Sequence, residues 1–525
     1  MMGCDDNSRR RFFIFALFFL QVFQTIAFAP SNSRWSIHGN IIPSSTYKTT
    51  RRTPTTSIPR PHQSSLYSTN PTTTNDDAEN KGKGEAKQIK MTDAASIIAG
   101  TAIGGAFLAL PAVTTPLGYI PAALGLLVAW TFLVGSSFAF IEAAGLVSDA
   151  KQSETKEEKK EGESGLTTVA TIIQYAFGEK YASVGSFLFI SQMFAVTTGQ
   201  IVKGAELLSD FTPVPYLLAC LLPPAIIGYS TFTSEPSVVE RINTLLTVCM
   251  VGGFAALIVG AVQSGNVAQA AVTALSRADF SKLLPTSGGG SSWAIPVYVN
   301  IIAFGQAMPF VTERMVQGTN SADISARTKS TNLLRARTAT ALGAIIPLAL
   351  TLIWAAISTA LVAPTVADPL RYLLTSMGPS ISVPITMLAI GAIGTSLFGN
   401  FFAMGHFALD LCARISRTSA FSKTVAKSLT VAIPAALALI GPAIYLPLIS
   451  FAGAYPTTLL YGLSPALCSF VLRRKLVKGG RNKVTTPRIV PGGDVSLIVL
   501  SLSALGLVGT STFLAVKRIL SFVGL

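Results

Sequence analysis

Charge is what this sequence has least of. Only 12% of its 525 residues are Asp, Glu, Lys or Arg, against about 25% in soluble domains. Half are apolar, and mean hydropathy is +0.53. Ionised side chains are costly in hydrocarbon, so this balance excludes an ordinary soluble domain and points to a membrane. Cysteine is sparse and unpatterned. Cys4, Cys220, Cys249, Cys412 and Cys468 are scattered, with no CxxC or CxxxH spacing, which reads as single apolar thiols. No HExxH, GxSxG, Walker A or paired-acid motif is present. An enzyme is therefore the least supported class, and no catalytic residue, metal or cofactor is expected.

The cations that are present have particular places. A formal charge of +15 could suggest nucleic acid, but the Lys and Arg sit in an N-terminal leader and in loops between apolar runs. No nucleic-acid partner is expected; the lipid bilayer is. Arg9, Arg10 and Arg11 precede the apolar run Phe12 to Leu20, and Ala27 ends a small-residue context. This is a signal peptide over 1–27, its core shorter than the roughly 20 residues a span needs. Residues 28–75 lack Asp and Glu, are rich in Ser, Thr and Pro, and carry Arg34, Lys48, Arg51, Arg52 and Arg60. That is transit-peptide composition. The junction Ala27-Phe28-Ala29-Pro30 resembles the Ala-Phe-Ala-Pro motif of plastid preproteins in algae with complex plastids, which implies a plastid inner envelope. A plain secretory signal followed by a tail is the alternative. Residues 76–90 read as a polar flexible tail.

From Met91 onward apolar runs alternate with short polar loops. The spacing predicts an all-α polytopic membrane protein with about 11 transmembrane helices. The spans fall near 93–114, 119–146, 183–208, 212–232, 241–263, 293–313, 337–361, 382–412, 428–443, 446–471 and 494–516. Residues 166–178 are too short to span and read as an interfacial helix. A cytoplasmic-type positive face gathers Lys151 and Lys180 in loop 2–3, Arg327, Lys329 and Arg335 in loop 6–7, Arg414 in loop 8–9, and Arg473, Lys475 and Arg488 in loop 10–11. The other face has few cations, among them Arg277 and Arg371.

Spans 1–5 (repeat one, 91–263) and 6–10 (repeat two, 292–472) are similar in length and each odd in number. They must have opposite topology, with residues 494–516 as an extra helix. This is the inverted-repeat plan of many secondary transporters. The first helix of each half is also interrupted. Span 1 carries Gly100, Gly104, Gly105 and Pro111; span 6 carries Gly305 and Pro309. Glycine weakens a helix, and proline removes a donor and clashes with the preceding turn. Paired breaks at corresponding positions mark a binding site. Unwinding exposes amides that suit a carboxylate and carbonyls that suit an ammonium, so a zwitterionic amino acid needs no buried charged side chain.

At these residues the chain resembles the tryptophan/tyrosine permeases of the amino acid–polyamine–organocation superfamily. The resemblance rests on Gly100-Thr101-Ala102-Ile103-Gly104-Gly105, Leu108-Ala109-Leu110-Pro111, Phe304-Gly305-Gln306, the segment Ala389 to Gly399, Asp410, Ala452-Gly453 and Leu463 to Ala466. It implies a LeuT-like 5+5 inverted repeat with helices 1 and 6 discontinuous, and carriage of aromatic amino acids driven by protons. Gly100, Thr101, Ala102, Gly104, Gly105, Phe304, Gly305 and Gln306 would then bind substrate. Gln306 stands near where the family tends to have His, and His406 stands at the family's usual first acidic position.

Ionisable residues at membrane depth are functional candidates. Glu142 lies late in span 2, where a snorkelling or loop-pairing role fits. Lys203 and Glu206, three apart, can pair with each other. His406 and Asp410, four apart in span 8, could carry a proton. Thr395 and Ser396 resemble hydroxyls that bind sodium in some relatives of this fold. Gln192, Thr197, Thr198, Gln200 and Asn400 either face the site or bond across helices. A sodium-coupled neutral amino acid transporter is the alternative, and a non-transporting channel or assembly protein is less favoured, since no filter-like repeat or acidic ring is present.

Overall fold

Backbone in lipid has no water to bond to, so every N–H and C=O must pair within the chain. Accordingly no strand occurs among the described residues of this computed structural model. Those residues are 89–152, 168–263, 294–317, 326–414, 420–478 and 485–523, with a few between 272 and 280. All fall in one compact unit. The expected signal and transit segments lie outside them, as does most of the 76–90 tail.

Span 1 is α1 (Met91–Ala102), a 3-10 turn (Gly105–Ala109) and α2 (Leu110–Thr114). Then come α3 (Tyr119–Gln152), the short α4 (Val169–Phe177), α5 (Glu179–Phe211), α6 (Tyr216–Thr233) and α7 (Pro236–Gln263). The second half repeats this order. Span 6 is α8 (Ala294–Ile301), a 3-10 turn (Gly305–Ala307) and α9 (Met308–Thr312). It is followed by α10 (Ala326–Leu361), the short α11 (Pro369–Thr375), α12 (Pro379–Arg414) and α13 (Ala420–Ala438). The tenth span joins α14 (Tyr445–Ala452), a π-helical stretch (Gly453–Leu463) and α15 (Ser464–Lys478); α16 (Gly493–Val523) is the extra helix. Broken helix, long helix, short helix, then three more: the same series occurs twice.

Among the described residues nine helices are long and apolar enough to cross a membrane, and the bent pair of span 1, kinked by 47°, makes ten. The less apolar α13 is the eleventh. Its C-terminal Ala438 carbonyl accepts from the Tyr216 hydroxyl at 3.1 Å, at the face where α5 ends and α6 begins. Several span boundaries differ from the hydropathy reading, most clearly around the ninth and tenth spans. The ninth helix ends at Ala438 rather than 443, because Gly441 takes a positive φ of 122°. The tenth starts at Pro442 and runs to Lys478, beyond the apolar run. The expected interfacial helix exists as α4, capped by Thr168, whose hydroxyl accepts from the Thr171 N–H.

Small residues let α7 and α12 touch backbone to backbone. A Cβ on Gly391 of α12 would sit 2.5 Å from the Leu246 carbonyl of α7, and one on Gly253 of α7 would sit 2.7 Å from the Leu388 nitrogen. Glycines at helix contacts let backbones approach where lipid supplies no hydrophobic drive.

Buried ion pairs tie the positive face. Glu142 on α3 accepts from Arg473 of α15 at 2.7 Å and from the Ile489 and Val490 amides at 2.7 and 3.2 Å. Asp149, two turns further, pairs with Lys329 of α10 at 2.6 Å, and accepts from the Thr485 hydroxyl and from the Thr486 amide and hydroxyl. Loops 2–3, 6–7 and 10–11 thus meet at one face, three of the four that the cation count assigned together. Removing one partner of a buried pair leaves a bare charge, which costs about 3–5 kcal/mol. Asp149→Leu is therefore expected to lower the thermal midpoint of the detergent-purified protein steeply, and adding Lys329→Met to recover much of that loss.

Candidate functional site

The site forms where the first span unwinds. Ile103 and Gly104 are extended (φ −94° and −138°), so the two half-helices do not share hydrogen bonds across them. Three other helices supply what the break lacks. Ser396 Oγ of α12 accepts from the Gly105 N–H at 2.9 Å. Tyr445 of α14 donates its hydroxyl to the Gly105 carbonyl at 3.1 Å. Trp354 of α10 donates its indole N–H to the Phe107 carbonyl at 3.2 Å and stacks on the Phe107 ring. Gln200 of α5 lies against Gly105 itself: a Cβ there would fall 1.5 Å from Gln200 Oε1. A Cβ on Gly104 would fall 2.6 Å from Ser396 Oγ.

The second break is shallower. The helical course continues from Ala294 to Met315, but regular bonding lapses over Ile302–Phe304 before the 3-10 turn. Phe304 is fully buried. Gly305 rests on Tyr461 of the π-helical stretch, with a Cβ there meeting the ring at 2.5 Å. That stretch is pinned by Ser136 of α3, whose hydroxyl donates to the Tyr461 and Gly462 carbonyls. π-Helical segments concentrate at functional sites.

The predicted residues divide into groups. Ala102, Gly105, Phe304 and Gly305 are buried at the breaks, and Gly104 is half-buried. Gly100, Thr101 and Gln306 are exposed, on two segments that touch, since α1 contacts the 3-10 turn of span 6. Thr395 donates to the Gly391 carbonyl of its own helix at 2.9 Å, whereas Ser396 serves the break. His406 is exposed and packs edge-on against Phe402, away from Gly105's partners. Asp410 lies in α12, and its side chain is outside the described residues.

Sequence reasoning missed Tyr445, Trp354, Tyr461 and Asp368. Aromatic residues carry no spacing signal, and Asp368 pairs across 165 positions. It joins the buried Lys203, whose ammonium lies 2.8 Å from Glu206 and 3.4 Å from Asp368 and faces the Tyr445 ring at 5.8 Å. Asp368 also caps α11 by accepting from the Arg371 N–H, and Arg371 pairs with Asp210 of α5 at 3.2 Å. The Gly105 carbonyl, Tyr445 and the Lys203 ammonium thus follow one another toward the face opposite Glu142, with the ammonium over the Tyr445 ring.

The model of the tryptophan/tyrosine permease family matches residues 87–509. No curated protein sequence matches the chain. Among solved structures it is similar to a Na+-coupled sialic acid symporter in a substrate-bound outward-open state (15% identity, 79% of this chain and 95% of that one, TM-score 0.36). It is also similar to Mhp1 facing inward (14%, 82% and 92%, 0.47) and to a manganese transporter of Eremococcus coleocola (11%, 81% and 94%, 0.41). At these values the likeness says nothing of substrate or ion.

The Tyr461 ring is buried and its main chain is tied to Ser136, so overpacking there costs about 1–3 kcal/mol. Gly305→Ala is expected to lower the thermal midpoint accordingly, while Gly252→Ala, with open space around its Cβ, leaves it within about 0.5 kcal/mol.

Proposed function

The chain belongs to the tryptophan/tyrosine permease family, and from that premise we propose a secondary active carrier of aromatic amino acids, driven by protons, working by alternating access around the two breaks. It is a multi-pass membrane transporter and not an enzyme. The observation that carries the finer reading is the unwound Gly104–Gly105 segment, held open by side chains from α12 and α14 and facing a second interruption at Phe304–Gly305.

Two features support the substrate and coupling. Aromatic rings crowd both breaks, namely Phe107, Trp354, Tyr445 and Tyr461, and stacking and edge contacts favour a planar aromatic side chain. Glu206 and Asp368 both lie within ion-pair distance of the one ammonium at Lys203, and ionisable groups at membrane depth mark ion and proton routes. The leader composition supports delivery to a plastid inner envelope, with the cation-rich face toward the stroma.

The test is uptake of labelled Tyr, Trp and Phe into proteoliposomes. Uptake is expected to rise with a pH gradient and to survive replacement of sodium by choline. Transport of none of the three rejects the proposal; loss in choline moves the reading to a sodium-coupled carrier of neutral amino acids. For the address, residues 1–75 fused to a fluorescent protein are expected to light the plastid of a complex-plastid alga. Secretion would overturn that placement.

A further inference from the structure

Helix α5 carries an unusual polar run. Ser191, Gln192, Thr197, Thr198 and Gln200 are each no more than 3% exposed, and each has a side-chain polar atom with no hydrogen-bond partner in the protein. Most other buried threonines behave differently, Thr312 being an exception. Thr114, Thr340, Thr351 and Thr359 donate to a carbonyl one turn back in their own helices, which is how a helix satisfies a buried hydroxyl. Thr197 and Thr198 do not.

Gln200 is the extreme case. It is 1% exposed, and both its Oε1 and its Nε2 are unpartnered. Leaving a buried donor or acceptor unmade is expensive, and such groups in native proteins call for an explanation. The amide is also placed. It lies on the Cα of Gly105, where only a glycine leaves room for it. Gly199 beside it packs on Ile449 and Tyr445, and Gly204, one turn on, packs on Ile393. Gln200 is therefore wedged between α14 and α12 at the unwound segment. The main-chain groups of Gly105 are already spent, its N–H on Ser396 and its carbonyl on Tyr445. What the break still offers beside Gly105 is this side chain, with two N–H donors and one acceptor.

We infer that Gln200 is a substrate-binding residue that holds the α-carboxylate and α-ammonium common to all amino acids, Nε2 donating to the carboxylate and Oε1 accepting from the ammonium. A neutral amide matches a zwitterion group for group without leaving a net charge buried. The inference rests on the amino acid carrier proposed above and names the residue that reads the part of the substrate every amino acid shares.

The experiment uses the purified full chain, with thermal shift and proteoliposome uptake for Tyr, Trp and Phe. Gln200→Met keeps the length and removes the amide. Hydrogen bonds to charged groups are the strong ones, so half-saturation is expected to rise about 10- to 100-fold for all three substrates alike. The substrate-free midpoint should stay level or rise, because unpaired polar atoms are lost. Gln200→Glu, which swaps a donor for an anion facing the carboxylate, should bind no better than Gln200→Met. Binding by Gln200→Met equal to wild type overturns the inference. A defect confined to Tyr overturns it too, since the amide would then read a phenol. A large fall in the substrate-free midpoint assigns Gln200 to packing and overturns it as well. A wild type that binds no amino acid overturns the carrier proposal and this inference with it; a wild type that binds, beside a Gln200→Met that binds as tightly, overturns this inference alone.

Discussion

The peptide group at Gly105 is the constraint on which the rest of the molecule turns. A helix broken in hydrocarbon must find partners for what it unties. Here Ser396 takes the amide and Tyr445 takes the carbonyl, from helices 291 and 340 positions away in sequence. Each partner has its own requirement. Ser396 can reach only because Gly104 has no side chain. Tyr445 stands in place because Gly199 lets α14 lie close on α5. The helix carrying Ser396 is itself fixed by backbone contact with α7 at Gly253 and Gly391. A single unsatisfied peptide explains glycines on four helices.

The two faces are closed by different chemistry. One is strapped by carboxylates of α3 onto Lys329, Arg473 and the amides of residues 486–490. The other is closed by Lys203 bridging α5 to Asp368 at the start of α11. Both straps join an element of the first half to one of the second. In the alternating access proposed above, opening either face would separate ion pairs, and only differential affinity for the opened and closed states can drive it. Tyr445, bonded to the Gly105 carbonyl and faced by the Lys203 ammonium, puts one strap next to the break, while the other begins a helix away.

Much of this was legible in the residues. Gly and Pro in the first helix of each half marked both interruptions, and loop cations gathered the loops that the structure brings together. Glu142 and Lys203 were readable as paired, from membrane depth and from an i,i+3 spacing. Their remaining partners were not, because Arg473 and Asp368 lie 331 and 165 positions away and nothing local announces them. Span ends were underestimated because hydropathy stops at the first charge, whereas a helix does not: α10 begins at Ala326, eleven residues before the apolar run. The π-helical Gly453–Leu463 left no periodic trace, and the division of spans nine and ten was drawn too late because the break is made by one glycine, Gly441, inside a continuous apolar run. Thr395 looked equivalent to Ser396, yet its hydroxyl is spent on its own helix. One residue of register, about 100° of helix rotation, separates the two.

The early start of α10 has a physical outcome of its own. At about 1.5 Å per residue its 36 residues reach about 54 Å, well past a hydrocarbon core of about 30 Å. Its first turns therefore stand among lipid headgroups. Lys329 there is buried against Asp149, while Arg335, less than two turns on, is exposed. Cations that look alike to a topology rule thus do separate jobs: Lys329 is spent inside the protein as cement between α10 and α3, while Arg335 presents its charge outward. A count of loop cations therefore overstates the charge this helix shows to its surroundings.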